Sequence, residues 1–462
     1  MPDQLFAQID TYIDEHIDQT IDELARLCAQ PSISAQGGPG LRRCAELVAE
    51  MLHVRSFHAD IISTAGNPIV YAEAAGQSDR TLLFYNHYDV QPPEPLDEWQ
   101  SPPFELTLRE GKLIARGVSD DKGHIVCRLA AIDAVKTVLG GLPCRIKFII
   151  EGEEETSSAS LHPFIEANAA MLKADACVWE TGSVNHEGIP MQYLGLRGIC
   201  YVELTVETGT LDAHSGLGGS VFPNAAWRLV WALNSLKGPD ERIRIPGFYD
   251  DVVPPSPRDL ELLAKIPDSA EDDKRTYGLK GFLKGLTGGL EYQRQARFVP
   301  TCTVCGLTSG YQGKGSKTVL PAQASAKVDF RLVPNQDPED ILRKLRAHLD
   351  AEGFGDVQIT YLGGERPGRT DPDDPFVRLT VEAARDVYGR EQMIVPMLGG
   401  SGPIWPFIHL LKLPVVTAGI SYPGARIHAP NENVRVDLLL KGIKHTARII
   451  EAFARSRVTG GV

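Results

Sequence analysis

The chain has 462 residues, 43% hydrophobic and 23% charged, with 44 Gly and 32 Pro; this is ordinary globular composition and excludes a disordered, collagen-like or coiled-coil chain. Setting 47 basic residues against 60 acidic ones leaves a formal net charge of −13, which argues against nucleic acid and anionic membrane as partners. The same excess fits either a solvated surface or a carboxylate cluster that holds cations, and at roughly 150 residues per domain the length predicts about two to three domains.

Near the start, Phe6, Ile9, Ile13, Ile17, Ile21 and Leu24 recur at helical spacing with acids between them. This predicts an amphipathic helical segment rather than the basic start and unbroken apolar run of a secretory signal. No apolar run reaches the roughly 20 residues needed to cross a bilayer. The eight cysteines are scattered, unlike a disulfide framework. The expectation is therefore a soluble, reduced, cytoplasmic protein. Cys302 and Cys305 are the one close pair; with no second pair to complete a zinc site, they read as packing.

Apolar runs at residues 81–85, 145–150 and 176–179 predict buried parallel strands. Between the first two, Ile125, Leu129, Ile132, Val135 and Leu139 form one helical face, closed by Gly140-Gly141. This alternation predicts an α/β domain whose mostly parallel sheet is flanked by helices. Further along the period changes. Residues 201–207 and 322–331 alternate polar and apolar, the second with Ala322, Ala324, Ala326, Val328 and Phe330 on one face. Asp337-Pro338-Glu339-Asp340 offers an N-cap, a first-turn proline and acids at the positive helix end, ahead of Ile341, Leu342, Leu345 and Leu349. Residues 357–361 alternate again. Two-faced strands with helices on one side predict a smaller α+β domain. The expected arrangement is an outer domain of residues 1–197 and 369–462, with residues 198–368 inserted as a second domain. Within the insert, residues 238–300 are rich in Pro and charge and read as an elaboration.

Residues able to do chemistry fall at the strand ends. His87 and Asp89 follow the first strand and, two apart in extended chain, point to one side. Asp120 and Asp121, with Gly117 before and Gly123 after, precede the long helix, where a turn and helix cap would also explain them. Glu153, Glu154 and Glu155 follow the second strand, and consecutive carboxylates repel unless cations or a helix N-terminus offset them. Glu180 follows the third strand, and His428 lies in the late polar loop Ile427-His428-Ala429-Pro430-Asn431-Glu432. Singly, each has a plain packing or surface explanation. Together they line the carboxyl edge of one predicted sheet, where open α/β sheets bind ligands. Mixed imidazole and carboxylate donors suit zinc; two histidines are too few for a three-histidine site, and surplus carboxylates favour two metals. The division of labour among Glu153, Glu154 and Glu155 stays open at this level.

The order His-x-Asp, Gly-x-x-Asp-Asp-Lys-Gly, Glu-Gly-x-Glu-Glu, Glu and Ile-His-x-x-Asn-Glu resembles the M20 family of zinc metallopeptidases and amidohydrolases over essentially the whole chain. Asp212-Ala213-His214-Ser215-Gly216, Lys317-Thr318-Val319-Leu320-Pro321 and Phe330-Arg331-Leu332-Val333-Pro334 look most like its carnosinase-type dipeptidase branch. The resemblance implies two zinc ions, with manganese or cobalt as substitutes, one held by His87 and Glu180, the other by Glu155 and His428, with Asp120 bridging. It implies Glu154 as general base toward a water between the metals, Asp89 as the group that orients His87, and a cis bond between Asp120 and Asp121. It further implies a homodimer in which the inserted lid delivers His214 to the partner's site, and substrate binding by Arg331, Thr318 and Ser401. The implied activity is hydrolysis of dipeptides or short peptides with a free C-terminal carboxylate. The alternatives are an N-acyl-amino-acid amidohydrolase and a silent metal-binding scaffold, the latter disfavoured because all five ligand positions and the base carry competent residues. Two departures stand out: relatives often read Glu-Glu-Ser-Gly-Ser where this chain has Glu154-Glu155-Thr156-Ser157-Ser158, and Glu180 stands where the branch often has Asp. His124 and the histidines at 16, 53, 58, 162, 186, 348, 409 and 445 match no motif and read as surface or structural.

Overall fold

The computed structural model describes residues 2–456. Two compact units emerge: one holds the chain up to Leu194, Arg369–Pro396 and the chain from Trp405 onward, the other Gly195–Gly368 with Met397–Ile404. Residues 397–404, expected in the outer part, join the second unit because Leu398 N–H donates to Gly195 O (2.8 Å) and Arg197 N–H donates to Gly400 O (2.9 Å).

The first unit is built on a six-stranded sheet of β1 (His58–Ile62), β2 (Ile69–Ala74), β3 (Thr81–His87), β4 (Arg145–Glu151), β5 (Ala176–Trp179) and β6 (Val415–Thr417). Their spatial order is β1-β2-β4-β3-β5-β6. The neighbours β4, β3, β5 and β6 run parallel, and β1 and β2 add an antiparallel edge. Every residue of β3 is buried, as a strand covered by helices on both faces requires. The helix Lys122–Leu139 crosses from β3 to β4 and ends at Gly140, whose φ of 72° makes the left-handed cap that a side chain would resist. It packs against Val436–Arg455, the long helix near the end of the chain. The helical pattern at the amino terminus forms two helices, Pro2–Glu15 and Ile17–Cys28. The break falls at His16, whose ring stacks on Tyr12 at 3.9 Å.

In the second unit the antiparallel strands follow the order Thr301–Ser309, Gln323–Leu332, Gly198–Glu207, Gln358–Glu365. Cys200, Val202, Leu204 and Val206 alternate inward with Ala324, Ala326, Val328 and Phe330 and pack with Leu229, Ile341 and Leu345 from the helices Ala225–Leu236 and Pro338–Ala351. The Asp337 carboxylate caps the second helix by accepting the Glu339 and Asp340 amides. The region 238–300 carries three α-helices, Pro257–Leu263, Ala270–Thr276 and Gly289–Phe298. Cys302 is buried and Cys305 exposed, and neither forms a disulfide. Among the described residues no helix is long and apolar enough to cross a membrane.

Candidate metal centre

In-register pairing of β3 and β4 sets His87 opposite Glu151, so the two strands release their following loops at one edge of the sheet. Glu180 enters the same edge directly after β5. His87 is 1% exposed. Its Nδ1 lies 3.1 Å from the Asp89 carbonyl oxygen and 3.3 Å from Asp89 Oδ1, which places a proton on Nδ1 and turns Nε2 toward the carboxylates beyond. That Nε2 stands 3.1 Å from Asp120 Oδ1 and 3.9 Å from Glu180 Oε2. The other oxygen of Asp120 is 3.0 Å from His428 Nε2, which is also 3.0 Å from Glu155 Oε2. One carboxylate therefore faces a histidine with each of its oxygens.

Among the described residues two groups of donors able to hold a metal ion result, His87 with Asp121 and Glu180, and Asp120 with Glu155 and His428. Asp121 was not expected among the ligands. Its Oδ2 accepts from Asn86 Nδ2 (2.5 Å) and from the His87 amide (3.3 Å), while Oδ1, 2.9 Å from His124 Nδ1, is buried with no hydrogen-bond partner. The peptide bond between Asp120 and Asp121 is cis. A cation fits the donor set: Glu180 Oε2 is buried with no hydrogen-bond partner, and donors about 2.0–2.2 Å from a tetrahedral ion lie about 3.3–3.6 Å from one another, within the 3.0–3.9 Å spread here.

The electrostatics agree. Burial would lower the His87 pKa, but hydrogen bonds to Asp120 and Asp89 hold it well above the usual imidazole range. Hydrogen bonds to Asp120 and Glu155 raise His428 to about 10. Burial, reinforced by Glu154, holds Glu180 well above the carboxyl range. Burial would likewise raise Asp120, yet its bonds to His428 and His87 keep it well below. Too many carboxylates for their surroundings are stabilised by protons, which is the charge demand a divalent cation meets.

The three glutamates after β4 separate by contact. Glu153 turns away: its carboxylate accepts the Asn67 amide (3.0 Å) and the Ser160 amide (3.1 Å). Glu155 reaches His428 and is steadied by Gln91 Nε2 at 2.9 Å. Glu154 is pushed up to about 8, first by burial, with Asp120, Glu155 and Asp89 raising it further against the pull of His87. Asp89 does more than orient His87, since its two oxygens also accept the amides of Glu154 (3.2 Å) and Glu155 (3.1 Å). Ser157, at the departure from the family pattern, has φ 81° and ends the short helix Glu154–Thr156 in a left-handed cap. His124 is structural: its Nε2 accepts the Ile420 amide at 3.1 Å. Arg128, fully buried, donates to the carbonyls of Trp179 (2.7 Å) and Glu180 (2.8 Å) and so fixes the backbone at Glu180. Neither contact is legible in the sequence, because both partners are remote along the chain.

In the second unit, His214 and Thr318 meet through the pairing of Ala213–His214 with Val319–Leu320. His214 Nδ1 accepts the Gly216 amide (3.0 Å), which leaves the proton on Nε2, 3.4 Å from Thr318 Oγ1. Arg331 donates to Ser401 Oγ (2.8 Å) and to Asp329 (3.1 Å), and Ser401 Oγ donates to Gly198 O (3.1 Å).

The profile of Peptidase family M20/M25/M40 matches residues 83–452. The Cys-Gly metallodipeptidase dug1 of Schizosaccharomyces pombe is 31% identical over 388 residues, 82% of this chain and 81% of that protein. An M20 family metallo-carboxypeptidase, Sso-CP2 from Sulfolobus solfataricus, superposes with a TM-score of 0.89 at 36% identity, over 94% of this chain and 99% of that one. Human carnosine dipeptidase 1 does so at 0.81 and 26% identity, over 98% of this chain and all of the other. With paired histidines around one aspartate and a profile match over most of its length, the chain belongs to peptidase family M20/M25/M40 and is a metallopeptidase, a hydrolase of peptide bonds that uses a divalent metal.

Proposed function

We propose that the chain is a dinuclear zinc dipeptidase acting on dipeptides or short peptides with a free C-terminal carboxylate. The observation that carries the reading is Asp120, whose two oxygens face His87 and His428 at 3.1 and 3.0 Å. His87 and Glu180 would hold one ion, Glu155 and His428 the other, with Asp120 between them. Bound zinc would supply Lewis acidity at the scissile carbonyl and lower the pKa of water. Glu154 takes the proton from the attacking water and hands it to the leaving nitrogen; a carboxyl poised near neutral pH suits both transfers. Asp89 keeps the His87 tautomer and, through the amides of Glu154 and Glu155, the aim of the base.

Arg331, a guanidinium already oriented by Ser401 and Asp329, suits bidentate capture of the terminal carboxylate, with Thr318 and Ser401 adding hydroxyl donors. His214, protonated on Nε2, is assigned to the developing oxyanion. Its delivery by a second copy of the chain makes the working form a homodimer. Eight unpaired cysteines suit a reducing cytoplasm. The test is metal analysis beside a hydrolysis screen of dipeptides, longer peptides, their C-terminal amides and N-acyl amino acids, with and without chelator. The reading expects about two zinc ions per chain and chelator-sensitive cleavage of free-carboxylate dipeptides. Preference for N-acyl amino acids would move the substrate to the deacylase class, and preference for longer peptides to a carboxypeptidase.

A further inference from the structure

Glu432 has no part in the chemistry above, yet it is fully buried and accepts four hydrogen bonds from one short stretch of chain. Arg116 Nη1 (2.7 Å) and the Gly117 amide (3.0 Å) donate to Oε2; the Ser119 (2.8 Å) and Asp120 (3.0 Å) amides donate to Oε1. The arrangement follows from strand register. Lys112–Ile114 and Asn433–Arg435 pair antiparallel with Ile114 opposite Asn433, so Glu432 arrives beside the chain leaving the first strand, and the Ala115 amide donates to Glu432 O (3.2 Å). Gly117 permits the amides to converge: its φ is 84°, and a Cβ there would lie 2.8 Å from Val90 Cγ1.

Glu432 also stands four residues after His428, in a loop tied within itself by Asn433, whose amide donates to Ala425 O (2.8 Å) and whose Nδ2 donates to Gly424 O (3.0 Å) and Asn431 O (3.0 Å). Arg426, His428 and Asn431 have φ of 56°, 61° and 63°, and a non-glycine residue in the left-handed region costs about 1–2 kcal/mol. Such residues persist where the surroundings over-determine them, and contacts made outside the loop add to its internal bonds. Asn431 anchors it to the segment of Glu98 and Gln100 (2.8 and 2.7 Å). Glu432 anchors it to the backbone of Asp120 itself.

We infer that Glu432 is a positioning residue that sets the distance between Asp120 and His428 and thereby the affinity of the cation position those two share with Glu155. The inference rests on the two-metal reading above. With three backbone amides and a guanidinium on its two oxygens, the Glu432 carboxylate has little capacity left to ligate an ion. Its effect reaches the ion through the 3.0 Å separation of Asp120 Oδ2 from His428 Nε2, in the way partners behind metal ligands change affinity about 10- to 100-fold.

The experiment is zinc titration of chelator-stripped wild type, E432Q and H428A against a chromophoric competitor, with circular dichroism to check the fold. The expected result is two ions in wild type. H428A should lose one, and E432Q should keep one position near wild-type affinity and bind the second about 10- to 100-fold more weakly. A folded E432Q that binds two ions within about threefold of wild type overturns the inference, and so does equal weakening of both positions. A wild type that saturates at one ion removes the two-metal reading and the inference with it. If E432Q does not fold, E432D is read by the same criteria, since it keeps the charge facing Arg116 while drawing the carboxylate back by one methylene.

Discussion

Acidifying the metal-free protein should weaken its first unit by about 3 kcal/mol through a single side chain, His445. This residue is 1% exposed on the helix Val436–Arg455, and its Nε2 lies 3.1 Å from the Thr380 carbonyl of the helix Pro375–Tyr388. Burial, with Arg448 adding to it and the Thr380 carbonyl opposing, lowers the imidazole from 6.5 to about 4. The folded state therefore binds fewer protons than the unfolded one between those values, so stability rises with pH there. The contribution is intact above about 6.5, is lost as pH falls, and levels off below about 4. At 1.36 kcal/mol per pH unit that interval amounts to about 3 kcal/mol. His445→Gln keeps a donor for Thr380 and removes the titration. Urea titrations of both proteins from pH ~7.5 to ~4, followed by circular dichroism, isolate the effect, because every other titrating group cancels in the difference. The gap between the two stabilities should move by about 3 kcal/mol in favour of His445→Gln as pH falls. Parallel stability curves would refute the argument that His445 is buried neutral.

The remaining predictions concern the site. Glu154→Gln should retain zinc but lose at least about 10²-fold in kcat; near-normal turnover in a steady-state assay would remove Glu154 as the base. Arg331→Ala should lower kcat/KM about 10- to 100-fold for free-carboxylate peptides and much less for their C-terminal amides, and equal losses on both would argue against the clamp. Ser157→Gly should release part of the roughly 1 kcal/mol held in its left-handed backbone, while Ser157→Val destabilises; thermal unfolding of the two variants reads the sign. Zinc loading should release protons, because His87 and His428 are held protonated in the empty cluster. Calorimetry in buffers of different ionisation enthalpy checks this, and a buffer-independent enthalpy would contradict it.

Strands 81–85, 145–150 and 176–179 were legible because a parallel strand buried on both faces writes itself as an unbroken apolar run, and they appear within Thr81–His87, Arg145–Glu151 and Ala176–Trp179. The antiparallel edge His58–Ile62 and Ile69–Ala74 was not, since short strands carry little periodicity against their background. Likewise 397–404 joins the second unit through a few backbone bonds that no local pattern announces. In the site, the placement of His87, Glu154, Glu155 and Glu180 at strand ends is a property of the chain read locally. The roles of neighbouring acids are not. Glu153 differs from Glu154 only by what lies around it, the amides of Asn67 and Ser160. Asp121 differs from Asp120 by facing Asn86 and His124. The sequence alone determined the fold class, the strands that carry the site and the residue types available to it, because those depend on period and composition. Tertiary structure decided which oxygen faces which nitrogen, because loops separated by some three hundred residues, such as Asp120 and His428, acquire a distance only when Glu432 and the strands beside it bring them together.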